Sequence, residues 1–213
     1  ISRLNQTLTE QFEMWRERPL QARWRIVYLD GVHFPVRHGD RTDSTIILTA
    51  LGVDLEGNKE VLALRACAEE SKDGWMDLLQ DMRTRGATQV DLIVTDGHDG
   101  LLAAVSALFT ATLRQRCVIH KQRNVMNAIP KRERSLVTGE LTGIWKAEAK
   151  QEALIQLAAF KAKYQKRYPE AIRSLKEHAR ASAHVLRLPA GHASIYSHNE
   201  CHPEFLEQCA TAH

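Results

Sequence analysis

The order of strand-like and helical segments in the sequence predicts an α/β fold with one mixed sheet, followed by an all-helical region. Between residues 20 and 120 the chain carries three strand segments, a helix, a strand, a helix and a strand. From about residue 121 to 190 apolar residues recur at helical spacing without strand signals. The first three strands are expected to form an antiparallel meander, and the later strands to join the sheet through crossover helices.

Each element of the first part is predicted from local signals. An amphipathic helix at 4–18 stops at Pro19, and a buried strand follows that ends at Asp30. Residues 45–67 read as a hairpin of two strands, with a turn at Leu-Glu-Gly-Asn. The next helix is predicted to have Ser71 as its N-cap and to end at a glycine.

The remaining elements alternate in the same way and then become helical. The predicted elements are a strand over 90–97, a helix over 98–109, a fifth strand over 112–120, a basic helix over 121–130, and helical stretches over 140–168 and 169–186. The strand over 90–97 is nearly all apolar, which is typical of a strand buried on both faces. The ribonuclease-H-like architecture has this order of elements, although other α/β folds share parts of it.

Length and composition place the chain among ordinary globular proteins. It has 213 residues, 44% hydrophobic and 26% charged, which excludes disordered and fibrous classes. No apolar run approaches the roughly 20 residues of a membrane helix, and no signal peptide opens the chain, so we expect a cytoplasmic location. The four cysteines are too few and too scattered for a disulfide framework. Because the chain begins with Ile1, an upstream piece is expected to be missing.

Charge is distributed unevenly along the chain. Residues 1–105 carry 12 Lys/Arg and 17 Asp/Glu, whereas residues 106–213 carry 17 and 9. This asymmetry is typical of a cation-binding half joined to an anion-binding half, although ordinary charge scatter explains it equally well. The basic residues proposed to contact DNA phosphates are Arg114, Arg116, Lys121, Arg123, Lys131, Arg132 and Arg134. A merely solvated face is the competing interpretation.

Two aspartates follow buried strand segments and are the candidate catalytic and metal-binding residues. Asp30 follows Ile-Val-Tyr-Leu and Asp96 follows Leu-Ile-Val-Thr, and a glycine comes after each. Two carboxylates side by side repel each other unless a cation lies between them, and Mg²⁺ or Mn²⁺ prefers such oxygen ligands. A pair of these ions is the usual clamp for phosphoryl transfer. The alternative is that each Asp-Gly merely begins a turn.

A second motif follows the second aspartate. Cys117 and His120 form a C-x2-H spacing at the end of the fifth predicted strand. As a zinc site the pair is incomplete, and a buried cysteine with a strand-end histidine is the simpler interpretation. His98, two residues after Asp96, is either a phosphate contact or an ordinary surface histidine.

Three segments in this order resemble the Mutator-type transposases of bacterial insertion sequences. They are YLDG at 28–31, VTDGHDGLLAAV at 94–105 and QRCVIHKQRNV at 115–125, and the KEVLAL segment fits the same family. The resemblance covers about residues 20–190. It implies a DDE transposase with a ribonuclease-H-like core, in which two aspartates and a glutamate bind two Mg²⁺ or Mn²⁺ ions.

Carried over to this sequence, the resemblance assigns roles to particular residues. Asp30 and Asp96 match the two aspartates, and Cys117 and His120 match an accessory C-x2-H signature. The family cleaves DNA at the ends of its element and joins the freed 3′-hydroxyl to target DNA. Double-stranded DNA is therefore the implied partner, with a homodimer or larger assembly in an active parent and a nucleoid-associated location in a bacterial cytoplasm.

The third carboxylate of the family is not found in register. The family places it in a segment resembling T-T-N-A-I-E, whereas this chain has SIYSHNECHPEFLEQCATAH at its end, with Glu200 and Glu204 as weak candidates. His198 to His202 can be encoded so that a shifted frame gives Thr-Thr-Asn-Ala. We therefore interpret residues 191–213 as an aberrant tail, the product of a frameshift. A true divergent end is the alternative.

These observations divide the chain into four predicted parts and leave several functions open. The parts are an N-terminal helix at 1–19, a catalytic core at 20–120, a helical insertion domain at 121–190 and the tail at 191–213. The first hypothesis is a transposase catalytic domain in a truncated or inactive copy, so that this chain alone has little or no activity. A non-catalytic DNA-binding remnant is the alternative, and an unrelated two-metal nuclease or phosphatase is a third.

Overall fold

A computed structural model describes residues 2–38, 41–147 and 149–181 and divides the chain into two compact units. Unit 1 comprises residues 1–120 and unit 2 comprises residues 121–213. The division lies where the predicted core ends, and the functional labels of the four predicted parts stay predictions. The tail at 191–213, with Glu200 and Glu204, lies outside the described residues.

Unit 1 contains three complete helices and all the strands that the described residues form. Its elements are α1 (Ser2–Glu17), β1 (Arg23–His38), β2 (Arg41–Val53), β3 (Lys59–Cys67), α2 (Lys72–Thr84), β4 (Gln89–Thr95), α3 (Asp99–Leu108) and β5 (Leu113–Arg116). Helix α4 (Val118–Asn127) begins in unit 1 and continues into unit 2. The predicted order of elements in this part of the chain is confirmed.

The five strands form one mixed sheet in the order β3-β2-β1-β4-β5. Strands β1, β2 and β3 are antiparallel neighbours, which confirms the predicted meander. Strands β4 and β5 run parallel to β1 and are reached through the crossover helices α2 and α3. The mixed α/β class is thus confirmed, and the parallel pairing of β1 with β4 stops at Leu29 and Thr95.

The caps and turns predicted for helix α2 are present. The Ser71 side chain accepts a hydrogen bond from the backbone N–H of Gly74 at 3.1 Å, which satisfies a free donor of the first turn. Gly86 follows the helix with φ +123°, a conformation that side chains disfavour. A Cβ there would lie 2.4 Å from the carbonyl oxygen of Leu20. Glycine therefore also permits the backbone of Leu20, which precedes β1, to approach closely.

Strand β1 is longer than predicted, and this corrects the setting of Asp30. The predicted strand ends at Asp30, whereas β1 continues to His38. Its described parallel pairing with β4 stops at Leu29, opposite Thr95, while its antiparallel pairing with β2 runs to its end. Asp30 therefore lies where β1 leaves its parallel neighbour β4 and continues with β2 as its pairing partner. The prediction was wrong because β2 supplies the ladder that extends the strand.

Strand β5 is shorter than predicted. It ends at Arg116, and helix α4 begins at Val118, so His120 lies in the first turn of a helix and not in a strand. The backbone N–H of Cys117 still donates to the carbonyl oxygen of Thr95 at 2.6 Å. The apolar Val-Ile pair predicted a strand here, but it lies in the first turn of helix α4 instead.

Each unit has its own hydrophobic core. In unit 1 the sheet packs with helices α2 and α3 around fully buried side chains that include Trp24, Trp75 and Leu101. In unit 2 the described residues form helices α5 (Arg134–Lys146), α6 (Lys150–Tyr164) and α7 (Pro169–Ala181), preceded by a short 3₁₀ turn. Their core includes Leu141 and Ile172. One predicted helical stretch is thus two helices, α5 and α6. No helix in the described ranges has the length and apolar character needed to cross a membrane.

Candidate functional site

The two candidate aspartates meet at one edge of the sheet of unit 1. Leu29 of β1 is paired in parallel with Thr95 of β4, and Asp30 and Asp96 are the next residues of the two segments. Since the carboxyl ends of parallel strands meet at the same edge, both carboxyl groups are positioned there by the backbone ladder. Burial and, to a smaller extent, electrostatic repulsion from Asp96 raise the pKa of the Asp30 carboxyl.

The environment of Asp30 disfavours its charged form. Burial is the main cause that raises the pKa of Asp30, and the nearby carboxylates of Asp96 and Glu70 raise it further. His120 and the backbone N–H of Gly31 act in the opposite direction. The Asp30 side chain nevertheless keeps 35% of its surface exposed, so a ligand can reach it. Such a half-buried carboxyl beside like charges favours a bound cation.

The C-x2-H motif places its histidine beside the first aspartate. The Nε2 atom of His120 lies 3.9 Å from Oδ1 of Asp30, from the first turn of helix α4. Cys117 is a half-buried free thiol whose backbone is tied to the end of β4. The structure thus brings His120 to Asp30.

The turn after β4 is shaped by Asp96 itself. Oδ1 of Asp96 accepts a hydrogen bond from the backbone N–H of His98 at 2.9 Å, which closes an Asx turn. Between them Gly97 has φ +92°, and a Cβ at this position would lie 2.4 Å from Nε of Arg116. The glycine therefore leaves room for the Arg116 guanidinium, which packs over the turn that carries the second aspartate.

Glu70 is a further residue at this edge that the sequence did not indicate. It precedes the Ser71 cap of helix α2, and its side chain is 18% exposed. The indole Nε1–H of Trp75 donates to its Oε1 at 2.9 Å, and Nδ1 of His98 lies 3.7 Å from the same oxygen. Nothing local separates it from Glu69, which is exposed, because its neighbours come from distant segments.

The predicted DNA-contacting residues lie in different settings. Arg123, Lys131 and Arg132 are exposed, while Lys121 is buried. Arg114 is exposed and donates to the hydroxyl of Ser106 at 2.5 Å. Nε of Arg134 donates to a backbone carbonyl at 2.9 Å. Of this set, Arg123 and Lys131 are exposed side chains of unit 2, and the exposed Arg132 lies 3.5 Å from Glu133.

The described residues supply only part of a metal-ligand set. Within the described ranges, no three His, Cys, Asp or Glu side chains converge closely enough to hold a metal ion on their own. Asp30 and Asp96 offer the carboxylate oxygens that hard divalent cations prefer. The two aspartates therefore fit such an ion as a partial site.

Comparison with known proteins connects the whole chain to one family. The sequence profile described as "Transposase, Mutator family" matches residues 1–204. The transposase for insertion sequence element ISRM5 from Rhizobium meliloti (strain 1021) is 30% identical over 192 residues, covering 90% of this chain and 48% of that protein. The transposase for IS6120 from Mycolicibacterium smegmatis is 33% identical over 193 residues, covering 90% and 59%. This chain spans about half the length of the curated relatives it matches.

Proposed function

Because this chain belongs to the Mutator family of transposases, we propose that unit 1 is the catalytic core of a DNA transposase. Its reaction is metal-dependent cleavage of DNA strands at the ends of an insertion element, followed by transfer of those strands to a target. The observation that carries this proposal is the placement of Asp30 and Asp96 at the ends of paired parallel segments, close enough to repel each other.

Asp30 and Asp96 would supply two of the three carboxylates of a DDE site. That site would hold two divalent cations, Mg²⁺ or Mn²⁺. Two such ions, when bound, activate the attacking oxygen and stabilise the charge on the phosphate and leaving oxygen. The residues fit this group because the carboxyl of Asp30 is half-buried beside like charges that a cation would offset. His120 lies beside Asp30 and favours its ionised form. The Asx turn of Asp96 holds the second carboxylate in one orientation.

A ribonuclease-H-like classification of unit 1 belongs to the same proposal. Its support is an antiparallel meander of three strands followed by two parallel strands on crossover helices, with the sheet order β3-β2-β1-β4-β5. The carboxylates lie at the carboxyl ends of the central parallel pair, where open sheets bind their ligands.

Double-stranded DNA is the proposed partner, and unit 2 is proposed to contribute contacts to its phosphates. Arg123, Lys131 and Arg132 are exposed there. Its acidic side chains Glu133 and Glu140 are occupied within the unit, by Arg167 and Lys163 at 2.7 and 2.6 Å. A dimer or larger assembly of an active parent follows from the need to hold two DNA ends together.

This chain by itself is proposed to be a truncated or inactive copy. It supplies two carboxylates in the described residues, and a third is needed for the family's complete set. Loss of one carboxylate from a shared metal site leaves the cation under-coordinated, so cleavage by the isolated chain is expected to be slow or absent.

The test uses a full-length parent in which the third carboxylate and the rest of the relatives' length are restored. Asp30→Asn and Asp96→Asn are each expected to abolish Mg²⁺-dependent cleavage of inverted-repeat DNA while DNA binding survives. Asp91→Asn is the matched control, because Asp91 lies on β4 upstream of Thr95 and pairs with Arg23 at 3.1 Å. Undiminished cleavage in either of the first two variants would refute the assignment.

A non-catalytic DNA-binding remnant is the second candidate function. The exposed basic side chains of unit 2, together with the incomplete ligand set of the described residues, favour it. It predicts salt-sensitive DNA binding by the chain, with no magnesium-dependent cleavage even after the third carboxylate has been restored.

A further inference from the structure

We propose that Glu70 is a positioning residue of this site: its carboxylate, held by the indole of Trp75, fixes the segments that follow Asp30 and Asp96. This inference deepens the proposed function, since it concerns the geometry of the same carboxylate pair. Glu70 is not assigned as a metal ligand.

The Glu70 side chain is itself held firmly. Trp75 is fully buried in the core of unit 1, and its Nε1–H donates to Oε1 of Glu70 at 2.9 Å. The next residue, Ser71, caps helix α2. A carboxylate anchored by a core indole and by the adjacent helix cap has little freedom, so its remaining contacts are well defined.

The Glu70 carboxylate contacts the segment that carries the first aspartate. A Cβ on Gly31 would lie 3.1 Å from Oε2 of Glu70 and 3.4 Å from its carboxyl carbon. The glycine thus lets the carboxylate pack directly against the backbone of β1, one residue after Asp30.

The Glu70 carboxylate also contacts the turn that carries the second aspartate. Nδ1 of His98 lies 3.7 Å from Oε1 of Glu70, and the backbone N–H of the same histidine donates to Asp96. On its other side the histidine ring lies against Gly100, where a Cβ would be 3.2 Å from its Cε1 and 3.0 Å from the backbone nitrogen of Lys72. The His98 side chain keeps 42% of its surface exposed and lies beside both Glu70 and the first turn of α3.

These contacts make one side chain touch both segments that carry the aspartates. Groups that orient metal ligands without binding the metal are placed in this way, and their removal costs about 10–100-fold in metal affinity.

The test compares Glu70→Ala, Glu70→Gln and the exposed neighbour Glu69→Ala in the ¹⁵N-labelled 213-residue chain without metal. Glu70→Ala should shift the indole resonance of Trp75 and accelerate hydrogen exchange of the His98 backbone amide by about tenfold, the effect of losing a contact of about 1.4 kcal/mol. Glu70→Gln keeps an acceptor oxygen and should restore both signals, and Glu69→Ala should change neither. An unchanged amide in Glu70→Ala overturns the proposal.

A Mn²⁺ titration separates positioning from ligation. Glu70→Ala should weaken Mn²⁺ binding about 10–100-fold and Glu70→Gln by less than about tenfold, whereas Asp30→Asn should abolish it. Equal losses in Glu70→Gln and Asp30→Asn would make Glu70 a ligand and overturn the positioning role. If the unsubstituted chain binds no Mn²⁺, the proposed metal site fails, and the exchange comparison still decides the role of Glu70. If Glu70→Ala does not fold, Glu70→Gln decides the question alone. Accelerated exchange of the His98 backbone amide in Glu70→Gln, with the Trp75 indole resonance unchanged, overturns the inference.

Discussion

Replacing Gly97 with alanine tests why the turn beside Asp96 needs glycine. The reason is either the positive φ of its backbone, the space that the Arg116 guanidinium occupies, or both. Gly97 has φ +92°, and an added Cβ would lie 2.4–2.7 Å from three atoms of the Arg116 guanidinium group. The chain offers a matched control at Gly57, in the β2–β3 turn, where φ is +97° and nothing lies within 4 Å of the added Cβ. The two variants share the backbone strain and differ in the contact.

The structure sets the expected magnitudes. A positive φ costs a side-chain-bearing residue about 1–2 kcal/mol, so Gly57→Ala should lower the free energy of unfolding by this amount. Gly97→Ala should cost less than about 1 kcal/mol more, because the clashing atoms are the end of a flexible side chain with one long hydrogen bond of 3.4 Å. Gly86→Ala should cost about 4 kcal/mol, since φ +123° is combined with a 2.4 Å approach to the backbone oxygen of Leu20.

Urea unfolding followed by tryptophan fluorescence measures these differences, and a double-mutant cycle identifies their cause. In an Arg116→Ala background the excess cost of Gly97→Ala over Gly57→Ala should disappear, because the clashing group has been removed. An excess that persists in that background, or a Gly97→Ala cost as large as that of Gly86→Ala, would refute this reasoning.

Other substitutions test the electrostatics, the helix cap and the basic surface. Burial and like charges raise the pKa of Asp30. Urea unfolding should therefore show Asp30→Asn to be more stable than the parent at pH 7. This advantage should vanish as the pH falls below the ordinary aspartate pKa, because the carboxyl is then protonated in both the folded and the unfolded chain. Ser71→Ala should lower stability by about 1 kcal/mol through loss of the α2 cap, and an unchanged urea midpoint would contradict the cap's role. Arg123→Ala should reduce the slope of log affinity for DNA against log salt by about one. Lys163→Ala should change that slope less, because Glu140 already holds this lysine at 2.6 Å; equal changes would argue against a selective surface.

Local signals were sufficient wherever neighbours in sequence are also neighbours in space. The Ser71 cap, the glycine that ends helix α2, the hairpin of β2 and β3, and the helix that begins at Pro169 were predicted from a few adjacent residues and are present. Such features depend on backbone conformations that serine, glycine and proline set within one turn.

Three predicted boundaries differ from the structure, and at the first of them a distant segment supplies the hydrogen bonds. Strand β1 runs past Asp30 because β2 pairs with it as far as His38, and the chain around Cys117 enters a helix where its residues predicted a strand. One continuous helical stretch is divided into α5 and α6. Propensity over a short window cannot register a partner that comes from elsewhere in the chain.

The sequence by itself determined the mixed α/β class, the family and the two aspartates as candidates, because strand periodicity and the spacing of motifs are properties of the linear chain. Only the tertiary structure decided which groups share the edge of the sheet with them. Parallel pairing of β1 with β4 brings Asp30 to Asp96, the start of α4 brings His120, and the buried indole of Trp75 holds Glu70 there. Asp96, His120 and Glu70 are all distant from Asp30 in sequence, and electrostatic and hydrogen-bonding effects depend on distance in space.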